Sequence, residues 1–177
     1  MVKSSPVAVT VFALSNTFPP SPPFICEALT DAFGQWFNGG DPAISGIEIS
    51  SFLEARKSPN QYSIRKWQTE DNPCVNWLLY YDLLQPLDFK RFKKLVFSHY
   101  SDGYDKPFFV WLEDSKGLQS VMQNWTSVNA WTDNIFQIVN FAPADAGFDI
   151  TQIKRIWMMG EFTTTTFPKQ HFIDWMY

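Results

Sequence analysis

Residues Pro107–Asp114 read Pro-Phe-Phe-Val-Trp-Leu-Glu-Asp, a stretch of aromatic and branched residues that ends in two acids. Such residues fit a pleated surface, and successive side chains of a strand point to opposite faces. The stretch therefore predicts a strand with two distinct faces. Phe108, Val110 and Leu112 share one face, and Phe109, Trp111 and Glu113 share the other; if the first set faces the core, the second faces outward. Trp111 is the first candidate for a ring displayed on the outside of a sheet.

Similar short runs recur along the chain, separated by clusters of turn-forming residues such as Asn38–Asp41 and Ser115–Gly117. Helical periodicity is confined to about one turn each at Leu87–Phe92 and Asp149–Ile153. Many short strands with turns every ~8–12 residues predict an all-β sandwich or barrel of antiparallel strands. The predicted strands are Gly46–Glu54, Tyr62–Gln68, Cys74–Leu83, Lys94–Tyr100, Pro107–Glu113, Leu118–Trp125, Asn134–Asn140, Lys154–Phe162 and Phe172–Tyr177.

The composition excludes several classes of protein. The chain has 177 residues, 45% of them apolar, which is ample for the core of one domain. Fourteen Lys and Arg against 18 Asp and Glu give a net charge of −4, without the basic excess of a general nucleic-acid binder. The apolar stretches are far shorter than the ~18–20 residues that a membrane-spanning helix needs. We therefore expect a globular domain that binds no nucleic acid and has no membrane span.

The N-terminal segment differs from the rest of the chain. In Pro6–Leu14, Val alternates with other residues, as in a strand, and four prolines in Phe18–Phe24 enforce an extended spacer. We therefore divide the chain into an N-terminal arm with a Pro-rich spacer at 1–24 and a β-sandwich domain at 25–177. The apolar run of the arm is short and rich in β-branched Val, so it is not a convincing signal peptide.

Motifs for catalysis and structural metals are poorly represented. The two cysteines, Cys26 and Cys74, cannot form a disulfide scaffold and lack zinc-site spacing, so one bridge and two free thiols both stay open. The two histidines, His99 and His171, lie far apart, and the sequence contains no His-Glu-x-x-His, Gly-x-Ser-x-Gly or glycine-rich phosphate motif. We expect a protein that is not an enzyme.

Aromatic residues make up 18% of the chain, and the period of two places several of them beside arginines. Rings stack on the apolar faces of sugars and guanidinium groups bond sugar hydroxyls, so such a face suits glycan recognition. It equally suits a protein interface, and filling the core is a third use of the same rings. The sets that share a face are Arg65 with Trp67, Arg155 with Trp157, and Trp77 with Leu79 and Tyr81. The candidate ligand-binding residues are Trp111, Trp67, Arg65, Trp157, Arg155 and Tyr81.

From about Ala28 to Tyr177, the order of these features resembles the galactose-binding-like jelly rolls found in carbohydrate-binding modules. Leu29–Trp36 is similar to the opening strand of that group, with an acid, a Phe and a following Trp. Phe172–Tyr177 is similar to the closing strand, with its acidic residue in place. The resemblance implies an antiparallel β-sandwich of jelly-roll type with one or two short helical turns. The segments that follow the same order between them are Leu87–Phe97, Pro107–Asp114, Trp131–Phe141 and Phe148–Ile156.

The resemblance also implies a function. It favours a non-catalytic carbohydrate-binding or adhesion module that acts at a surface and has a glycan as its partner. The N-terminal arm favours the alternative, a structural subunit of a virion (phage capsid or tail) or of another extracellular assembly. In that case the arm and an aromatic face dock onto neighbouring protein subunits, in a homo-oligomer or a larger assembly. Both functions place the chain outside the cell or on a virion.

Members of this group often carry one structural calcium ion held by acids of the first and last strands. By position, Asp31 and Asp174 correspond to those acids, with Asp41 as a further candidate from the following loop. Calcium takes ~6–8 oxygen ligands, so two or three carboxylates with backbone carbonyls suffice. The chain departs from the pattern at Gly34, where the group often has an acid. Solvated or turn-capping acids are the alternative.

Overall fold

Alternating apolar residues form ten strands in the computed structural model, which describes residues 33–50, 63–69, 77–101, 107–126, 130–160, 169–174 and 176. The predicted arm and spacer at 1–24, together with Cys26 and Cys74, lie outside these ranges. The strands are β1 (Gly34–Asn38), β2 (Ser45–Ser50), β3 (Ser63–Gln68), β4 (Trp77–Leu87), β5 (Lys94–Ser101), β6 (Phe108–Asp114), β7 (Gln123–Trp125), β8 (Thr132–Gln137), β9 (Ile153–Gly160) and β10 (Lys169–Asp174).

The strands form two five-stranded sheets. The first sheet has the order β1-β4-β9-β6-β7 and the second sheet has the order β2-β3-β10-β5-β8. Every strand pair in both sheets is antiparallel. The prediction of an all-β antiparallel sandwich is confirmed. Among the described residues, no helix is long and apolar enough to cross a membrane.

Short 3₁₀ turns occur at both places where the sequence predicts one helical turn, Phe89–Arg91 and Ile150–Gln152. Each turn is capped by the aspartate before it, because Asp88 and Asp149 accept hydrogen bonds from backbone N–H groups at 3.0 Å. The capping aspartates therefore fix both turns locally.

Two predicted strands end differently. The predicted strand Asn134–Asn140 ends at Gln137, because Ile138 and Phe141 are both buried and a 3₁₀ turn brings such a pair to the same side. The predicted strand Leu118–Trp125 is reduced to β7, because the two residues Ser120 and Val121 ahead of β7 form hydrogen bonds with two different segments of the chain. Ser120 Oγ accepts from Leu112 N at 3.0 Å, while Val121 N donates to Ala142 O at 2.8 Å.

The core fills the space between the sheets with one side of each strand. On β6 the inward residues are those that the sequence predicts, and all are 0% exposed. Burial of each large apolar side chain contributes about 1.5–3 kcal/mol to folding. Inward-facing residues of the three central strands of the first sheet are Leu79, Tyr81, Leu83, Phe108, Val110, Leu112, Ile156 and Met158.

Several titratable groups are buried in this sandwich, among them His99 and Lys66. The ring of His99 packs edge-on against Phe108, at 4.6 Å between centroids, and His99 Nδ1 accepts from Trp125 Nε1 at 3.3 Å. Burial lowers the pKa of His99 to about 3, so the ring is neutral. The Lys66 side chain is 0% exposed and donates to Asn38 Oδ1, and burial lowers its pKa to about 7.

Lys66 predicts a pH dependence of stability. Between pH ~7 and the unfolded value of 10.5, the unfolded chain holds a proton on Lys66 that the folded chain has lost. The free energy of unfolding therefore rises with pH across this window. We expect this residue to contribute a gain of up to ~4 kcal/mol between pH 7 and 10, and Lys66→Met to remove that gain. Urea denaturation at several pH values measures it.

The matched control is Lys116→Met, because Lys116 is exposed. This variant should keep the pH profile of the unmodified chain. If Lys66→Met has the same profile as Lys116→Met, Lys66 is charged in the folded state and our interpretation is wrong.

Candidate functional site

Four aromatic side chains lie in register across the outer face of the first sheet. Phe37 pairs with Tyr80, Tyr80 with Trp157, and Trp157 with Trp111. The distances between successive ring centroids are 5.0, 4.5 and 5.7 Å. We call Phe37, Tyr80, Trp157 and Trp111 the aromatic row. Because adjacent strands are ~4.8 Å apart, the row extends over ~14 Å, which suits an extended ligand.

The order of residues in β9 explains this row. Ile156 and Met158 face the core and are 1% and 0% exposed, so Arg155 and Trp157 face outward. Tyr80 and Trp111 lie opposite Trp157 on the two neighbouring strands and therefore share its face. The three rings come together because residues that pair directly in an antiparallel sheet point to the same face and lie side by side.

A polar row runs parallel to the aromatic row, two residues along each strand. Asp82 pairs in register with Arg155 and with Gln35, and Glu113 pairs with Arg155. The guanidinium of Arg155 lies 4.6 Å from the centroid of the Tyr80 ring, within range of a cation–π contact. Arg155 thus connects the two rows. We call Gln35, Asp82, Arg155 and Glu113 the polar row.

Glu113 fixes the position of both Arg155 and Trp157. Its Oε1 accepts from Arg155 Nη1 at 3.0 Å and its Oε2 accepts from Trp157 Nε1 at 2.7 Å. The Arg155 Nε atom lies 3.5 Å from Asp82 Oδ1 on the other side. The side chain of Glu113 is only 14% exposed, so solvent screens these contacts less than at an open surface. Both carboxylate oxygens of Glu113 therefore hold neighbouring side chains of the two rows, Arg155 and Trp157, in place.

Trp111 ends the row in a different environment. It is 6% exposed and stacks on Trp157 with an angle of 6° between the ring planes, whereas the other three rings are partly exposed. The Nε1 atom of Trp111 has no hydrogen-bond partner among the residues that the structure describes. This nitrogen is buried from solvent, so Trp111 contributes to the row by stacking on Trp157.

An apolar row lies on the other side of the aromatic row. Met159 pairs with Leu78 and with Phe109, and all three are partly buried. The row ends at Asn124, which pairs with Phe109 and is exposed. The outer face therefore changes from charged to aromatic to apolar along the strands.

The structure brings only some of the predicted residues together. Trp111, Trp157 and Arg155 lie on the outer face of the first sheet, as their spacing predicts. Arg65 and Trp67 belong to β3 of the second sheet, across the core. The predicted residues therefore divide between two sheets and do not make one site.

Tyr81 requires a correction. It is 0% exposed and packs in the core against Trp36, at 5.1 Å between ring centroids, so the prediction that it binds a ligand is wrong. Leu79, which the spacing places on the same face as Tyr81, is also 0% exposed, so this face of β4 is the core face. Asp82 follows Tyr81 in the sequence, and a charged side chain favours the solvent side of the sheet. Asp82 and Tyr80 therefore face outward, and Tyr81 faces the core.

Arg65 and Trp67 are held by local contacts on the second sheet. Arg65 forms an ion pair with Glu48 at 2.5 Å and donates from Nε to Gln170 at 2.9 Å. The Trp67 ring lies against Gly46, where an added Cβ would be 2.7 Å from the ring. On the same face Phe172 pairs in register with Arg65 and with Tyr100, and the Tyr100 ring lies 5.9 Å from that of Phe172 and 5.8 Å from that of Trp131. Phe172 at the centre of this set is 1% exposed, so these rings do not form an open row like that of the first sheet.

Five residues of the two rows were not among the predicted ligand-binding residues: Phe37, Tyr80, Gln35, Asp82 and Glu113. Phe37 and Tyr80 each follow or precede another aromatic residue, Trp36 and Tyr81, so alternation alone leaves their face ambiguous. Asp82 is the signal that could have assigned Tyr80 to the outer face, because side chains two residues apart in a strand point to the same face. Glu113 was placed on the correct face, but its partners come from β9, 42 and 44 residues away.

The calcium site stays a prediction. Asp31 lies outside the described ranges, and Asp174 is 0% exposed on β10. Within the described part of the chain, no group of three or more His, Cys, Asp or Glu residues is placed to hold a metal ion. Asp41 caps a turn, since its Oδ1 accepts from Ala43 N at 2.9 Å. Its geometry fits the turn-capping alternative.

A chelator tests this calcium prediction directly. Ca²⁺ that binds the folded chain raises its melting temperature by mass action, so EDTA should lower the melting temperature and added CaCl₂ should restore it. Asp174→Asn should lose that response if Asp174 is a ligand. A melting curve that is identical in EDTA and in CaCl₂ excludes the calcium site.

Solved structures share this fold. A family 11 carbohydrate-binding module of the cellulase Lic26A-Cel5E of Clostridium thermocellum superposes with a TM-score of 0.59 at 14% identity, over 88% of this chain and 91% of that module. A family 30 module of the C. thermocellum cellulase Cel9D-Cel44B gives 0.58 at 11% identity, over 83% and 92%. TmCBM61, in complex with β-1,4-galactotriose, gives 0.50 at 15% identity, over 80% and 86%.

These likenesses show the fold. The chain is a β-sandwich with the jelly-roll architecture of carbohydrate-binding modules, as the resemblance implies. No model of a protein family matches the sequence, and no curated protein matches it significantly.

The contacts of Glu113 predict a measurable stability difference. Glu113→Ala leaves Trp157 Nε1 and Arg155 Nη1 without their acceptor, and should lower the free energy of unfolding by about 1–3 kcal/mol. Glu113→Gln keeps an acceptor oxygen and should cost less. Urea denaturation followed by tryptophan fluorescence measures both.

Glu48→Ala provides the control. Glu48 also pairs with an arginine, but its side chain is 49% exposed, so the loss should be below ~1 kcal/mol. Equal losses for Glu48→Ala and Glu113→Ala would mean that Glu113 does not hold the platform.

Proposed function

We propose that this chain is a non-catalytic carbohydrate-binding module whose aromatic row stacks on a neutral glycan. The observation that carries the proposal is the register of four rings across four strands, Phe37, Tyr80, Trp157 and Trp111. Stacking on a sugar needs flat rings presented at regular intervals on a rigid support. The jelly-roll likeness agrees with this use, and one such module was solved with a trisaccharide, β-1,4-galactotriose.

The polar row supports an uncharged ligand. Arg155 is already engaged by Glu113 and Asp82, and Lys154 lies 3.8 Å from Asp82. The two carboxylates and two cations balance, so the face has no excess positive charge to attract uronates or sulfates. Hydroxyl groups of a neutral sugar can accept hydrogen bonds from, or donate them to, the charged groups of these ion pairs.

The same contacts favour binding over turnover. Glycoside cleavage needs one carboxyl that donates a proton and a second that acts as base or nucleophile. On this face Asp82 and Glu113 both hold Arg155, and Glu113 also holds Trp157. These carboxylates therefore support the platform, and we infer no catalytic role for them.

A secreted or surface-exposed module would meet polymeric glycans, so we propose an extracellular location and an adhesive role together with glycan binding. The alternative, a structural subunit of a virion or other assembly, makes a different prediction about size. Sedimentation of the full chain separates the two. A monomer agrees with the binding module, whereas a stable oligomer that dissociates on removal of residues 1–24 agrees with the structural subunit.

Ring removal tests the proposal. A glycan array of neutral and acidic oligosaccharides should show binding of the unmodified chain to neutral glycans. Trp157→Ala and Tyr80→Ala should each weaken that binding by about 10- to 100-fold, as loss of a central ring contact costs ~1–3 kcal/mol. Isothermal titration with the best array ligand measures the change.

The matched control is Trp67→Ala, which removes a partly buried tryptophan from the other sheet. It should leave glycan affinity within twofold. Absence of any binding on the array would overturn the proposal. A loss caused by Trp67→Ala, with Trp157→Ala unaffected, would move the site to the second sheet.

A further inference from the structure

A concave surface lies at the end of the sandwich where β4 and β8 end and β5 and β9 begin. It is a groove of ~650 Å³ between the segment 90–93 and the segment 137–143, closed on one side by Ile150. We call it the basic groove. Its apolar lining includes Phe92, Val139, Phe141 and Ile150, and its basic lining consists of Lys90 and Lys93.

The apolar part of the groove is built on buried anchors. Ile138 and Phe141 are 5% and 1% exposed, so the 3₁₀ turn between them is fixed to the core. Val139 lies inside that turn and is 83% exposed, pointing away from the core. A single exposed valine is ordinary, but here it lies in a groove together with Phe92 and other apolar residues. The turn thus presents an apolar contact on a rigid support.

The charged part of the groove is strongly basic for this chain. Four of the five residues 90–94 are Lys or Arg and all four are exposed, although the chain as a whole carries −4. Lys93 and Lys94 form no ion pair with any residue in the described ranges. Hydrogen bonds from Thr151 lower the pKa of Asp149, and the charges of Lys116 and Lys90 lower it further, so Lys90 is partly balanced by this carboxylate. Lys93, which lines the groove, and Lys94 beside it are exposed and favour a ligand that carries negative charge.

We propose that the basic groove docks an acidic segment of a partner protein that also carries an aliphatic or aromatic side chain. The lysines on one wall would attract its carboxylates, and Phe92 and Val139 would contact its apolar side chain. Among the described strands, β8 is the edge of the second sheet and ends at the groove with Gln137, so an extended peptide has a strand edge to lie along.

Other ligands fit this surface less well. A glycan needs a platform of flat rings, which the aromatic row provides and the groove does not. An anionic membrane would meet a chain of net charge −4, whose cations are concentrated in one concave place. The proposal is independent of glycan binding, because the groove shares no residue with the aromatic or polar rows.

Peptide display on the full-length chain tests the proposal. A phage library of random eight-residue peptides is selected on the unmodified chain and depleted on the uncoated support. Enriched peptides should contain an excess of Asp and Glu around at least one Leu, Ile, Phe or Trp. The synthetic peptide from the best clone should bind more weakly in high salt, and at least tenfold more weakly to Lys93→Glu and to Val139→Asp.

Lys116→Glu is the control, because Lys116 is an exposed lysine that does not line the groove. It should bind the peptide within twofold of the unmodified chain, and all three variants should bind the array glycan normally. Enrichment without an acidic bias, or equal binding by Val139→Asp and the unmodified chain, overturns the proposal. So does a dimer that Val139→Asp dissociates, or binding to phosphatidylserine vesicles in place of peptides.

Discussion

Strand β9 sets the architecture of the whole outer face, because it lies between β4 and β6 at the centre of the first sheet. Its alternation allows only one orientation. Turning it over would bury Arg155 and expose Ile156 and Met158, which costs several kcal/mol for the unpaired charge alone. With β9 fixed, antiparallel pairing places Tyr80 and Trp111 beside Trp157. The aromatic row therefore follows from the cost of burying Arg155, which fixes the orientation of β9.

The same arginine keeps the face rigid. Arg155 lies against the Tyr80 ring, bonds Glu113 and faces Asp82, while Glu113 also bonds the indole of Trp157. Two rings and three charges on three strands therefore hold one another in place. A platform that is ordered before the ligand arrives loses less conformational freedom on binding. That rigidity links the stability of the face to its proposed use as a surface for sugar stacking.

Local sequence patterns predicted those features that depend only on residues close together in the chain. The faces of β6 follow from alternation, because Glu113 and Trp111 share one parity and purely apolar residues share the other. The two capped 3₁₀ turns follow from Asp88 and Asp149. Tyr81 was misplaced because two adjacent tyrosines satisfy alternation equally well, and only the packing of the core distinguishes them.

Long-range pairing decides what the local patterns leave open. Arg65 and Trp67 have the same spacing as Arg155 and Trp157, yet β3 pairs with β10 in the other sheet. Buried Lys66 breaks the rule that places lysine outside, and only its contact with Asn38 on the opposite sheet explains it. The basic groove likewise joins segments about 45 residues apart in sequence, 90–93 and 137–143. Neither the contact of Lys66 with Asn38 nor the basic groove can be predicted from a short stretch of the sequence.

The central claim is that glycans stack on the rings of the first sheet, and tryptophan indole signals report on it one ring at a time. In a ¹H–¹⁵N correlation spectrum of the full chain, the best array oligosaccharide is added in steps, with single Trp→Phe variants assigning the signals. The signals of Trp157 and Trp111 should move progressively and saturate, while that of Trp67 on the second sheet stays in place. Movement of Trp67 alone, with Trp157 and Trp111 unchanged at saturating ligand, would contradict the claim.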